Sequence, residues 1–218
     1  MYLPPYHAQP DGAALRALID AHPLGAWVCH GSDGLVANHI PFLLDRSRGS
    51  SGTLLGHVSR ANTVWQQLQE DAQSIVLFQG PQSYITPGWY PSKSEHGKVV
   101  PTWNYAVTHV HGVARAVHDK DWLLRLLTRL TAANEALMPM PWKVSDAPAD
   151  FIDRLLGAVV GIEIPIDRLV GKLKVSQDEA LQDRQGTVAG LTALGTENAT
   201  AIAALVKMAV DATNCESL

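Results

Sequence analysis

The 218-residue chain carries 17 Lys+Arg against 21 Asp+Glu, a formal net charge of −4. With 46% hydrophobic and 17% charged residues it is not a disordered segment, and a pI near 6.1 is not the footprint of a protein that holds nucleic acid by bulk electrostatics. The length suits one large domain or one domain with an appendage, and no apolar run approaches the ~20 residues of a membrane-spanning helix.

Residues 1–10 form a proline-rich arm with no basic region followed by an apolar run, so no signal peptide is expected. Two distant cysteines, Cys29 and Cys215, suit reduced thiols, and a cytoplasmic location is expected. Asp11 is placed to cap a helix carrying Leu15, Leu18 and Ile19 on one face, stopped at His22-Pro23. Leu24 to His30 and Leu35 to Leu44 read as strands joined at Asp33-Gly34, a pair that hairpins favour. Thr53 to Val58 reads as a third strand, Ser59 to Glu70 as a helix, and Ser74 to Gln79 as a fourth strand. After a long connection, Thr102 to His118 has a strand pattern in which Gly112 marks a bulge or close approach. Asp119 to Leu137 is the clearest helix, with Trp122, Leu123, Leu126, Leu127 and Leu130 at helical spacing. A short helix ends at Leu156, a strand follows from Val159 to Ile164, and Ile166 to Val175 extends it. The alanine-rich tail from Glu179 to Ala212 reads as two helices separated at Gly195-Thr196. About six short strands with hairpin-type turns and peripheral helices argue for a small β-barrel, an α+β arrangement that is mainly β. No G-x-G-x-x-G follows a strand and there is no P-loop.

The connection from Gly80 to Tyr105 gathers Pro81, Pro87, Pro91 and Pro101 with Trp89, Trp103, Tyr84, Tyr90 and Tyr105. Proline lacks the donor a helix needs, so the stretch is expected to be a structureless, functional connection. Rigid rings and fixed-φ prolines suit a wall around a flat ligand. The same composition equally suits a core plug or a subunit interface.

Strand Thr53–Val58 running into Ser59-Arg60-Ala61-Asn62 offers a hydroxyl, a guanidinium and an amide at an expected helix start, the makings of a phosphate cradle. The plainer alternative is that Ser59 or Asn62 caps the helix and Arg60 is solvated. Lys93 could add a second cation or stand as a surface lysine. His109 and His111 point to one side of a strand, but no metal-ligand spacing accompanies them. No G-x-S-x-G elbow supports nucleophilic catalysis.

Six blocks then stand out: YLPPYHA (Tyr2 to Ala8), HIPFLL (His39 to Leu44), GHVSRANTVW (Gly56 to Trp65), FQGPQSYITPGWYPSK (Phe78 to Lys93), VPTWNYAVTHVHG (Val100 to Gly112) and GKLKVSQ (Gly171 to Gln177). In this order they resemble the PaiB-type FMN-binding negative transcriptional regulators. The resemblance implies an FMN-binding split β-barrel over residues 1–175, with 176–218 as a helical C-terminal extension packed on the barrel or dimer. It implies FMN as cofactor and a homodimer with flavin at the subunit interface. On that basis Ser59, Arg60 and Asn62 would hold the FMN phosphate, with His57 beside them and Lys93 within reach. His39 would lie against the flavin ring, and Trp103 and Asn104 would line the site, from the same or the second subunit. The chain departs from the family pattern at Asp178-Glu179, where an Asn-Arg-like pair is usual, and at Lys174-Val175, which looks inserted.

Negative regulation of gene expression is the function the resemblance implies. The charge does not support direct DNA binding, though it leaves it open. A flavin-dependent oxidoreductase acting on a small molecule is the alternative, since a flavin carries its own chemistry. A third is a haem-binding split-barrel protein ligated through His109 or His111.

Overall fold

The carboxylate of Asp11 accepts the backbone N–H of Ala14 at 2.7 Å and starts helix α1, Gly12–Ala21. Pro23 follows its end, as expected. The structure, a computed structural model, describes residues 1–7, 10–32, 34–69 and 71–215, with side chains up to residue 211. Strand β1 (Leu24–Gly31) pairs antiparallel with β2 (Gly34–Pro41), from Leu24 opposite Pro41 to Gly31 opposite Gly34. The expected hairpin therefore forms, and Gly34 takes the positive φ of +119° that its turn needs. Asp33 itself lies outside the described residues.

The remaining strands are β3 (Leu43–Asp45), β4 (Thr53–Ser59), β5 (Gln73–Ile85), β6 (Thr102–Val113), β7 (Arg115–Val117), β8 (Val159–Pro165) and β9 (Arg168–Lys174). They form a five-stranded sheet in the order β2-β1-β5-β6-β9 and a four-stranded sheet in the order β3-β4-β8-β7. The two sheets with peripheral helices make a mixed α+β architecture, the one expected of an FMN-binding split barrel, but it is neither mainly β nor a closed barrel: among the described residues helices match the strands in extent, and the strands divide between two sheets. The chain divides into two compact units: Arg16–Phe78 with His109–Leu169, and Met1–Leu15 with Gln79–Thr108 and Val170–Leu218.

In the first unit the core collects Trp27, Phe42, Leu54, Val58, Phe78, Val110, Ile162 and Ile164. Phe42 and Phe78 meet edge to face at 6.0 Å. Strand β4 is buried along nearly its whole length: Leu54 and Val58 enter this core, while Leu55 packs under helix α3 (Lys120–Glu135) against Leu126 and Leu130. The Asp119 carboxylate accepts the Trp122 N–H at 2.6 Å and fixes the start of α3. Trp122 then lies on Gly161 of β8, where a Cβ would overlap the indole. Gly112 is the expected close approach, since a Cβ there would strike the Pro165 carbonyl. Asp45, at the end of β3, accepts from Ser47 Oγ at 2.7 Å and from Arg129 Nη1 at 2.7 Å. The Ser47 hydroxyl first and then the Arg129 guanidinium hold its carboxyl at about 2, from 3.8.

In the second unit the expectation of a structureless connection fails. Strand β5 continues through Pro81 to Ile85, Pro87–Trp89 makes a 3-10 turn, and α2 (Ser92–His96) begins directly after Pro91. Proline is compatible with the first turn of a helix, where no intrahelical N–H is required. Two further helices, α5 (Leu181–Leu194) and α6 (Glu197–Cys215), are separated at Gly195, which adopts the left-handed cap at φ +65°. Tyr90 and Ile85 are buried with Leu191, Ile202 and Val206 of these helices. Trp89 sits on α5 where a Cβ at Gly190 would overlap its indole and one at Gly186 its carbonyl. Buried Asp183 accepts Ser92 N at 3.1 Å and Ser92 Oγ at 2.6 Å, pinning α2 to α5. In this part of the supposed wall, the aromatic residues are helix-docking core.

Two stability predictions follow from these contacts. Gly190→Ala is expected to cost about 1–3 kcal/mol, because displacing the rigid indole outweighs the ~1 kcal/mol gain in helix propensity. Gly157→Ala, with open space around its Cβ position, should be near neutral in the same thermal melts. Equal melting shifts for both would refute the packing argument. The second concerns acid. Because the folded Asp45 carboxyl lies at about 2 against 3.8, its stabilisation is complete above pH ~4 and is lost as pH falls toward 2. Asp45→Asn should therefore flatten stability between those pH values, and an unchanged acid limb in denaturant melts would count against it.

Candidate functional site

The structure brings Ser59, Arg60 and Asn62 together in the turn that leaves β4, with His57 on the strand just before it. Strand β4 pairs with β8 from Thr53 opposite Pro165 to Ser59 opposite Val159, and Arg60 N donates to Ala158 O at 2.8 Å just beyond. The helix expected from Ser59 to Glu70 is replaced by a 3-10 turn over Thr63–Gln66. Glu70 lies outside the described residues. Two β-branched residues at its start, and Trp65 Nε1 donating back to Arg60 O at 3.1 Å, favour a tight single turn over a helix. The dipole component of the proposed cradle therefore falls away, because so short a turn has no appreciable macrodipole.

The Arg60 guanidinium is half-buried and bonded rather than free in solvent. Its Nε donates to Gly157 O at 2.7 Å and its Nη2 to Val159 O at 2.9 Å, and its Cζ lies 5.9 Å from the centre of the Trp65 ring. Gly157 ends helix α4 (Ala149–Gly157), so Arg60 satisfies carbonyls at a helix C-terminus and at the first residue of β8. The positive charge remains at the turn while two of its donor nitrogens are engaged.

Asn62 Oδ1 accepts Val64 N at 3.1 Å, capping the turn, and its Nδ2 donates to Asn38 Oδ1 at 2.7 Å. That chain fixes the orientation of the Asn38 amide. It leaves Asn38 Nδ2, on the residue registered opposite Trp27, without an acceptor among the described residues. Sequence reasoning missed Asn38. The signal was there, since Asn38 and His39 must face opposite sides of β2. His39 is exposed and Asn38 half-buried, as that alternation requires. Ser59 is exposed, and its Oγ accepts Ala61 N at 3.3 Å, leaving the hydroxyl proton available. His57 is half-buried with Nδ1 unpartnered among the described residues, and burial lowers its pKa, so the ring is neutral at neutral pH.

The other expected site residues belong to the second unit. Lys93 is exposed on α2. Trp103 is 52% exposed on β6, with its ring 6.1 Å from that of Tyr84 and nearly perpendicular to it. Asn104 is fully buried: its Nδ2 donates to Ser176 Oγ at 2.8 Å, and its Oδ1 has no donor among the described residues. Ser176 holds a left-handed φ of 62°, the one such non-glycine residue among those described. Its neighbour Gln177 accepts Val175 N at 2.7 Å and lies 3.1 Å from His7 Nδ1, so the GKLKVSQ segment anchors the N-terminal arm.

The profile of the family described as "Putative FMN-binding domain" matches residues 1–168. An uncharacterised protein of Emericella nidulans is 35% identical, the match covering 95% of this chain and 96% of that one. The protease synthase and sporulation protein PAI 2 of Bacillus subtilis is 25% identical over 95% of this chain and 97% of its own. Among solved structures, an FAD and heme binding protein from Mycobacterium smegmatis superposes with a TM-score of 0.58 at 20% identity, covering 86% of this chain and 80% of that one. The flavocytochrome Anf3 from Azotobacter vinelandii gives 0.53 at 14% identity, covering 75% and 67%. The chain belongs to the FMN-binding family, and its cofactor is FMN.

The turn fits the anionic end of that cofactor: a guanidinium keeps positive charge there, and the exposed Ser59 hydroxyl has a free proton. Arg60 also has a measurable structural role. Arg60→Ala is expected to lower stability by about 1–3 kcal/mol through the two lost carbonyl bonds, and Arg60→Lys to recover less than half of it. A melting temperature unchanged in Arg60→Ala would show that these bonds contribute nothing.

Proposed function

We propose that this flavoprotein is a negative regulator of gene expression that works as a homodimer, with FMN at the subunit interface. The observation that carries the reading is the turn after β4, a charged and open corner lying inside the segment matched by the FMN-binding family. Ser59 donates its hydroxyl to the FMN phosphate, and Arg60 supplies the charge that offsets it. Asn62 positions the turn through Asn38, and neutral His57 offers Nδ1 as a hydrogen-bonding atom beside it. His39 presents its exposed ring to the isoalloxazine. Lys93 adds a second cation, and Trp103 lines the site from the second subunit, while Asn104, buried next to it in the chain, holds Ser176 in place. Residues 1–175 act as the flavin-binding domain, and 176–218 as its helical extension.

Bound FMN supplies electron-transfer chemistry, while the protein binds, orients and shields it. The regulatory reading is supported by the resemblance of the sequence blocks; the Bacillus subtilis relative is named a protease synthase and sporulation protein. Direct DNA reading is not part of the proposal, because a net charge of −4 offers phosphates little counterion release. A flavin carries its own chemistry, which supports a second reading, a flavin-dependent oxidoreductase acting on a small molecule. A haem site at His111 fits poorly, because Arg168 Nη2 lies 3.2 Å from both ring nitrogens of that histidine. Among the described residues no helix is long and apolar enough to cross a membrane.

The test is the visible spectrum of the purified protein and the flavin it releases on denaturation. Yellow protein releasing FMN is expected, with FMN retention weakened about tenfold in Ser59→Ala at unchanged melting temperature. Full retention in that variant would remove Ser59 from the site. Steady consumption of NADH or NADPH by the flavin-loaded protein would replace the regulatory reading with the enzymatic one.

A further inference from the structure

We propose a second ligand site in the first unit: a cavity of ≈ 380 Å³ beside helix α3 that takes a small aromatic monocarboxylate. Helix α3 places Trp122, Arg125, Leu126 and Arg129 at spacings of three and four residues, so all four line one face. Leu55 of β4 and Leu126 give the cavity an apolar floor, and Trp122 gives it an aromatic wall. Arg48, from the loop after β3, is the third cation on the lining.

The charge count selects the ligand. Arg129 pairs with Asp45 at 2.7 Å and Arg48 with Glu163 at 2.8 Å, each carboxylate being nearly buried. Arg125 has no ion pair among the described residues. The lining and its partners therefore leave one positive charge, on a planar guanidinium whose fork matches a carboxylate. A dianion would bring surplus negative charge beside Asp45 and Glu163, and a neutral ring would leave the guanidinium unanswered. The volume lies at the small end of ligand pockets, enough for one ring rather than a nucleotide. The ring packs against Trp122 and the two leucines while its carboxylate faces Arg125. The site uses none of the residues assigned to flavin, so the two readings stand or fall separately.

The experiment is calorimetric titration of the FMN-loaded protein at low ionic strength with benzoate, benzyl alcohol and inorganic phosphate. Benzoate is expected to bind saturably, with benzyl alcohol and phosphate each at least about tenfold weaker. Arg125→Ala should weaken benzoate about tenfold or more, and Arg125→Gln, which keeps part of the packing stem, should do the same, both at wild-type FMN content and melting temperature. No saturable heat from benzoate, equal affinity for either control ligand, or undiminished benzoate binding in both variants would each overturn the proposal.

Discussion

The first unit is held by the ladder between β4 and β8, and Arg60 continues that ladder past the last strand residue. Its backbone N–H reaches Ala158, and its guanidinium reaches the carbonyls of Gly157 and Val159. Helix α4 would otherwise end with carbonyls lacking partners just where β8 must begin. With them satisfied, β8 enters the sheet in register, and Val160, Ile162 and Ile164 fill the core while Gly161 receives Trp122. A shift of one residue along this pair would turn those three side chains out and drive Trp122 onto a β-branched neighbour. Strand β4 can serve as the centre of this arrangement because it is apolar on both faces. Between its polar ends, Thr53 and Ser59, His57 is the exception, and burial lowers its pKa.

Much of this was legible in the residues. Asp11 caps the helix it was expected to cap, the helix expected to begin at Asp119 does begin there, and Gly195 divides the tail. The β1–β2 hairpin follows from alternation and turn chemistry, and strand β4 from a short apolar run, signals that act within a few residues. The stretch from Gly80 to Tyr105 was misread because its structure depends on distant partners. Trp89 needs the glycines at 186 and 190, and Ser92 needs Asp183. A proline-rich aromatic segment reads as a wall until the helix it docks against is in place, and nothing local marks that helix as its partner.

The site divides in the same way. Ser59, Arg60 and Asn62 adjoin in sequence, so the chain itself brings them together and the turn could be anticipated. What they bond to could not. The acceptors of Arg60 are main-chain carbonyls 97 and 99 residues away, which have no side-chain signature. The expected helix was wrong for a related reason: propensity allowed it, but the turn is closed by the Trp65 indole donating to Arg60 O, a tertiary choice that overrides a weak local preference.

Arg60 joins the two halves of the argument. A guanidinium already fixed by two carbonyls and stacked near Trp65 has lost most of its rotamer freedom before any ligand arrives, so little further entropy opposes an anion. Its charge is undiminished, and attraction to a phosphate needs the charge more than it needs a free fork. An arriving phosphate also competes for the same N–H groups, and any displacement of the guanidinium is felt at the end of α4 and the start of β8. Under the proposed reading, flavin occupancy and the set of the four-stranded sheet are coupled through this one side chain, and linkage makes that coupling reciprocal. Under that same reading, a regulator of net charge −4 would use some route from cofactor to backbone other than phosphate attraction, and this residue provides a physical one.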